Sequence, residues 1–216
     1  MFKRLNELLN TYVEKDPAVH SKLEVFFLYP GVHATIWHRV AHWMYNHKMR
    51  FWARLVSEGA RRRTGIDIHP GAVIGRRFVI DHGIGVVIGE TAIVGDDVLL
   101  YQGATLGGSG KDTGKRHPTL EDGVTVGAGA RVLGNFTVGA GARIAANAVV
   151  LSAVPPDATA VGVPARIVRI ADQRVNQLDH VHMPDPLVQE LCRINRLLGE
   201  MTKELAELKE PKEPKE

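Results

Sequence analysis

Five polar side chains are of the types that acid–base transfer needs: Asp67, Asp81, His82, Arg116 and His117. An imidazole changes charge near neutral pH, and a carboxylate beside it orients the ring and stabilises its protonated form, the arrangement a general base requires. Asp67 lies fifteen residues before His82. On a chain that coils every eighteen residues, as the repeat described below implies, the two fall on adjacent coils a few residues apart laterally. A bent corner would close that gap. Spacing alone leaves a second reading open, an exposed Asp and His on the flank of a scaffold. Arg116 and His117 close a Gly-rich stretch, 107–118, which also carries Lys111 and Lys115. Its Gly-Gly-Ser-Gly-Lys run is suggestive of a nucleotide-binding loop, but the full spacing fails and no strand-to-helix context follows.

Two further clusters read as structural. His38 and His42 stand four apart on a predicted helix and could share a metal. With no acid or cysteine partner nearby, two histidines packed or exposed beside Trp37 and Trp43 is the better reading, and no metal site is assigned. Arg61, Arg62 and Arg63, with Arg50 and Arg54 upstream, read as a solvated helix end, where positive charge suits the macrodipole, in preference to a phosphate site.

The elements that must position the first five residues follow from a period of six. Aliphatic residues recur at Ile68, Ile74 and Ile80, then after a two-residue slip at Ile88, Val94, Leu100 and Leu106. The count resumes at Leu120, Val126, Val132, Val138, Ile144 and Val150. Four positions after each, the residue is mostly Ala or Val, with Phe78, Ile84 and Phe136 as larger exceptions. This period fits neither a helix nor simple alternation and marks a hexapeptide β-helix, in which each rung is a short strand and a corner. Three rungs close one coil, and coils stack at ~4.8 Å. A Gly- and Val-rich sandwich would not hold thirteen positions in phase. The slip adds two residues within 81–87, and the interval from Leu106 to Leu120 holds eight more than one rung needs. Those eight must leave the prism as a loop, and loops on rigid scaffolds are favoured places for function.

The predicted organisation is mainly β: an α-helical region at 1–65, a parallel β-helix at 66–170 with the excursion 107–118, and a linker, helix and charged tail at 171–216. Within the first region Phe2, Leu5, Leu8, Leu9, Tyr12 and Val13 share a helical face. Asp16-Pro17 is predicted to start a helix, and Pro30-Gly31 to break one before a long helix over 32–47. Leu187, Leu191, Ile194, Leu198, Met201, Leu205 and Leu208 form a heptad seam, with Cys192 off it and Asp185-Pro186 as the helix start. Three such helices could meet on a threefold axis, or the seam could pack on the N-terminal helices.

The 216 residues are 44% hydrophobic and 24% charged, which is globular. The net charge of +3 suits an anionic small molecule as well as nucleic acid and decides neither. A single cysteine excludes an internal disulfide framework and fits a reducing compartment. No apolar run approaches a membrane span, and the amphipathic N-terminus lacks a signal-peptide core. The expectation is a cytoplasmic protein, with no nucleic-acid or membrane partner.

Specific runs resemble the serine O-acetyltransferase family: Asp67-Ile68-His69-Pro70, Asp81-His82-Gly83, Gly89-Glu90-Thr91-Ala92 and Thr105-Leu106-Gly107-Gly108-Ser109-Gly110-Lys111. Arg116-His117-Pro118, Gly162-Val163-Pro164-Ala165-Arg166 and Asp16-Pro17-Ala18-Val19 match as well, in order and spacing. The resemblance implies a left-handed β-helix and transfer of acetyl from acetyl-CoA to the L-serine hydroxyl, giving O-acetyl-L-serine and CoA for cysteine synthesis. Acetyl-CoA would be a co-substrate, with no permanently bound cofactor. It further implies a trimer or a dimer of trimers, with each active site between neighbouring prisms. His82 is similar to the general base and Asp67 to its partner. Asp16, Asp81, Arg116 and His117 match residues that hold serine, Arg116 facing its carboxylate, and His117 or loop N–H groups would serve the oxyanion. Gly108, Ala128 and Ala146 fall where the pantetheine arm runs, and Lys111, Lys115 and Arg166 suit the polyanionic coenzyme.

The helical region is short beside the long family members, which favours a homotrimer over a hexamer. The chain ends in Glu210-Pro211-Lys212-Glu213-Pro214-Lys215-Glu216. It thus lacks the C-terminal Ile that docks into O-acetylserine sulfhydrylase, which argues against that complex. Cysteine would fit the serine site as an inhibitor. Three alternatives are a hexapeptide acyltransferase for homoserine or a sugar amine, a zinc carbonic anhydrase using His69, His82 and His117, and a non-catalytic scaffold. The Asp16 and Arg116-His117 matches favour a small amino acid, and the His-x4-His pair of the second is missing.

Overall fold

The computed structural model describes residues 2–110, 113–168 and 186–209. Twelve of the thirteen aliphatic repeat positions are at most 5% exposed, and Ile74 is partly buried. They fill a prism of about five coils whose walls are three parallel sheets. The first wall stacks Asp67–Ile68, Val87–Ile88, Thr105–Gly107, Arg131–Leu133 and Val149–Val150. The second stacks Val73–Ile74, Ile93–Val94, Thr119–Leu120 and Thr137–Val138. The third stacks Val79–Asp81, Leu99–Tyr101, Thr125–Val126, Arg143–Ile144 and Thr159–Val161, closed by antiparallel Arg166–Val168. Arg131 pairs with Val149, eighteen residues on, the unperturbed coil. Asp67 pairs with Val87 at twenty, and Thr105 with Arg131 at twenty-six, so both insertions are absorbed without breaking the ladder.

One assignment within the slip changes. Ile84 holds the corner slot by count but is 73% exposed, and Val86, 0% exposed, fills it instead. The two extra residues are carried in a loop where His82, Gly83 and Gly85 all have positive φ, so the rung resumes two positions late.

Four helices precede the prism: α1 Phe2–Lys15, α2 Lys22–Leu28, α3 Pro30–Asn46 and α4 Arg50–Thr64. Leu8 and Tyr12 of α1 pack with Val25, Val32, Val79 and Leu99. The Tyr12 hydroxyl accepts from Ile80 N (3.1 Å) and donates to Ile80 O (3.2 Å), tying α1 to the third wall. Asp16-Pro17 does not start a helix. Its carboxylate accepts from Ala18 N (2.8 Å), which holds a turn, and α2 begins later, where Ser21 Oγ accepts from Glu24 N. Pro30-Gly31 opens α3, with Pro30 in the first turn as its fixed φ allows. Gly31 is required because a Cβ there would lie 2.3 Å from Ile80 O.

Arg61, Arg62 and Arg63 are exposed in the last turn of α4. Glu58 pairs with Arg54 (3.0 Å) and Arg61 (2.7 Å), and α4 ends at Gly65 with φ 72°. His38 is buried and stacks on His42 at 5.5 Å, while His42 Nδ1 meets Pro70 O at 2.7 Å.

Residues 184–216 form a separate unit. Within it α5 spans Pro186–Lys209, with Leu191, Ile194, Leu198 and Met201 of the seam 44–59% exposed. The seam side chains of Leu187, Leu205 and Leu208, the Cys192 side chain, most of the predicted linker and the charged end lie outside the described residues, as does Lys111. Among the described residues no helix is long and apolar enough to cross a membrane.

Candidate active site

Apart from Asp16 in the helical region, the described site residues lie on or beside two different edges of the prism. The edge between the third and first walls carries Asp81 at the end of its strand and His82 at φ 58° in the slip loop. The His82 side chain is 77% exposed, and its Nε2 lies 3.9 Å from Asp81 Oδ1, beyond hydrogen-bond range. Asp67 sits beside the same loop, its N–H donating to Val86 O (2.9 Å). The carboxylate that His82 approaches is therefore that of Asp81, and the pairing read from the fifteen-residue spacing is not made within this chain. Asp67 stands beside the slip loop, and His82 at φ 58° presents its imidazole to solvent.

Asp16, in the turn after α1, accepts from the Tyr29 hydroxyl at 2.8 Å. Burial pushes the Tyr29 pKa up to about 12, reinforced by that hydrogen bond and by the charges of Asp16 and Asp81. Tyr101 is raised by burial, then by Asp81, with a smaller effect of Asp16. Both phenols thus stay protonated beside two carboxylates, a small acidic patch suited to a primary ammonium. Further down this edge, Gly103 N bonds Ile84 O, Gly129 N bonds Gln102 O and Asn147 N bonds Ala128 O, each at 2.8–2.9 Å. That column aligns Ala128 and exposed Ala146 below the slip loop, and their methyl groups leave the strip low. Arg166 follows at the bottom, just after the Gly162 turn.

The edge between the first and second walls carries Gly108, Arg116 and His117. His117 is only 8% exposed. The Thr91 N–H donates to His117 Nδ1 (3.2 Å), and Thr91 Oγ1 is 2.9 Å from the same nitrogen. That hydroxyl oxygen also accepts from the backbone N–H groups of Arg116 (3.0 Å) and His117 (3.1 Å), so its own proton points to Nδ1. A nitrogen that accepts two donors carries no proton, which places the ring hydrogen on Nε2. Burial, then the charges of Arg116 and Lys115, lowers the His117 pKa and keeps the ring neutral. The ring lies against Gly89, where a Cβ would be 2.0 Å from it. Lys115 Nζ donates to His117 O, holding the end of the excursion.

Arg116 Nη2 pairs with Glu90 Oε2 at 2.6 Å, and Glu90 Oε1 accepts from the Tyr45 hydroxyl at 2.8 Å. The hydrogen bond from Arg116, then that from Tyr45, holds the Glu90 carboxyl below its usual range. A guanidinium has five donors, so Arg116 retains some for a second carboxylate.

Sequence reasoning assigned no role to Tyr29, Tyr101, Tyr45, Glu90 or Thr91. Glu90 and Thr91 stood within a quoted motif, and Tyr101 pairs with Asp81 in the ladder, so the repeat count carried its signal. Tyr29 and Tyr45 had none, because helix packing alone brings them in. His69, His82 and His117 do not gather: among the described residues no group of three His, Cys, Asp or Glu could hold a metal.

Comparison with known proteins gives a consistent set. Residues 117–152 match the bacterial transferase hexapeptide (six repeats) family. The chain is 54% identical to the serine acetyltransferase of Synechococcus elongatus over 86% of this chain and 76% of that one. It is 47% identical to that of Bacillus pumilus over 96% of both. Among solved structures, the Neisseria gonorrhoeae serine acetyltransferase in complex with serine superposes with a TM-score of 0.74 at 40% identity, covering 77% of this chain and 68% of that one. A serine acetyltransferase in complex with CoA gives 0.73 at 40% identity over the same shares.

Proposed function

The chain belongs to the serine acetyltransferase family, and from that premise we propose that it transfers acetyl from acetyl-CoA to the L-serine hydroxyl with His82 as general base. The observation that carries this reading is the division of charge between the two edges. Asp16 and Asp81 suit the α-ammonium of an amino acid, and Arg116, anchored by Glu90, suits its α-carboxylate. One small amino acid would need both groups, and they lie on different edges of one prism. A threefold assembly would bring the first edge of one copy to the second edge of the next, a homotrimer in which each site is shared. The exposed seam of α5 supports such an assembly.

His82 Nε2 takes the serine Oγ proton as Oγ attacks the thioester carbon. The oxyanion that forms receives the Nε2–H of His117, whose proton is fixed on that atom by Thr91. Collapse breaks the C–S bond, and the imidazolium returns the proton to the departing thiolate, so His82 ends neutral. Asp67, beside the slip loop, would stabilise the imidazolium once serine and a neighbouring copy enclose it. Acetyl-CoA would lie along the strip of Ala128 and Ala146, with Gly108 from the facing edge and Arg166 and Lys111 toward its phosphates.

The test is thiol release from acetyl-CoA with L-serine, compared with L-homoserine and a sugar amine, in the presence of EDTA. Serine should have the highest kcat/KM, with no loss to the chelator. A competitor ahead by about tenfold, equivalent to ~1.4 kcal/mol, overturns the acceptor assignment.

A further inference from the structure

A cavity of about 430 Å³ lies between α1, α3 and the second wall, away from both edges described above. Four guanidinium groups line it, Arg4, Arg39, Arg76 and Arg77, against a single carboxylate, Glu7. Arg76 is neutralised by Glu7, with Nη2 2.6 Å from Oε1. Arg77 is held by Asp97 (2.6 Å) and Glu14 (2.9 Å). Arg4 and Arg39 have no ion pair or side-chain hydrogen bond among the described residues. Arg39 is half-buried, and its pKa is lowered by that burial and then by the Arg4 charge, with Glu7 acting the other way.

The Arg4 charge beside half-buried Arg39 is unfavourable, and the one cavity carboxylate that offsets it, Glu7, is already bound to Arg76, so an added anion would relieve the pair. The planar fork of a guanidinium matches the oxygens of a phosphate or sulfate, and two forks can share one such group. His38, which also lines the cavity, adds no charge, because burial pushes its pKa down to about 4. Trp43, Val73 and Ile74 supply an apolar wall beside the cationic end. The volume falls within the ~300–1,000 Å³ of small-molecule sites.

We propose that this cavity binds a small molecule carrying a phosphate or sulfate group, the oxyanion held by Arg4 and Arg39 and the remainder set against Trp43 and Ile74. The site is independent of the catalytic reading, since it shares no residue with either edge.

Calorimetric titration of the full chain at constant ionic strength tests it, with inorganic phosphate and phenyl phosphate as probes. Both should bind saturably, phenyl phosphate more tightly because of the apolar wall, and Arg39→Gln should weaken both by about tenfold or more, the loss of one charge-assisted fork. Arg116→Gln should leave both affinities within about twofold, since the catalytic edge is elsewhere. If Arg39→Gln does not fold, Arg4→Gln on the exposed side of α1 answers the same question. No saturable heat in the wild type overturns the proposal. So does binding that survives Arg39→Gln, or Arg4→Gln in its place, or that disappears in Arg116→Gln.

Discussion

His82 and His117 are carried by one prism, yet the fold treats their imidazoles in opposite ways. His82 projects from a two-residue slip at φ 58°, its side chain 77% exposed and 3.9 Å from its carboxylate neighbour. His117 is 8% exposed, bound at Nδ1 by Thr91, flanked by Arg116 and laid on Gly89. A group that must take a proton and return it has to reach the reacting atoms. A group that must present a hydrogen on one named atom is better tied down through its other nitrogen. The two edges thus divide the proposed chemistry into an exposed half and a preorganised half.

The largest expected effect comes from removing the exposed half. His82→Ala should lower kcat by roughly a hundred- to ten-thousand-fold while acetyl-CoA binding, measured by calorimetry, stays near wild type. A variant retaining a third or more of kcat would end the division of roles.

His117→Ala should cost about a hundredfold in kcat, as for one oxyanion donor, and raise KM for serine. This pair also sharpens the comparison, because the two lesions lie on edges that would meet only between copies. Reassembled mixtures of His82→Ala and His117→Ala chains should recover about a quarter of wild-type activity, the share of junctions that pair two intact edges at random. No recovery in mixed trimers verified by mass would place both histidines in one chain's site.

A smaller loss is expected at the ammonium patch. Tyr29→Phe removes the hydrogen bond to Asp16. It should raise KM for serine about fivefold, from ~1 kcal/mol for such a bond, with kcat little changed. A drop in kcat at constant KM would instead link Tyr29 to the proton transfer.

The least effect on catalysis belongs to His38, which takes the preorganised state to its limit. Its folded pKa of about 4 lies below the ordinary His value of ~6.5. Between those values the unfolded chain binds a proton that the folded chain refuses, so stability falls as pH is lowered through that window. The full loss amounts to about 3 kcal/mol. His38→Gln should therefore flatten the decline of Tm between pH 6.5 and 4 and leave kcat near wild type at pH 8. An unchanged acid limb would assign that decline to other groups, His117 first.

Much of this was readable from residues alone. The six-residue period gave the prism, its coil length and both insertions, since a strict repeat admits one register when every aliphatic residue must face inward. The motifs pointed to His82, Asp81, Arg116 and His117. The Asp16-Pro17 reading failed because a capping residue is told from a turn residue only by where its carboxylate points, and Tyr29 takes that carboxylate. Ile84 was misplaced for a related reason: the period counts residues, and a loop with three positive-φ residues does not advance the rung.

What the sequence determined by itself is whatever depends on local periodicity and residue type: wall, corner, excursion and the kinds of group available for chemistry. What only the tertiary structure decided is which of those groups share an edge and in what state each is held. The Nε2 tautomer of His117 depends on Thr91, twenty-six residues away, and the anchor of Arg116 on Glu90 and Tyr45. Such contacts arise between coils and between helix and prism, where distances are set by packing, and a hydrogen bond that fails beyond about 3.5 Å cannot be read from spacing along a chain.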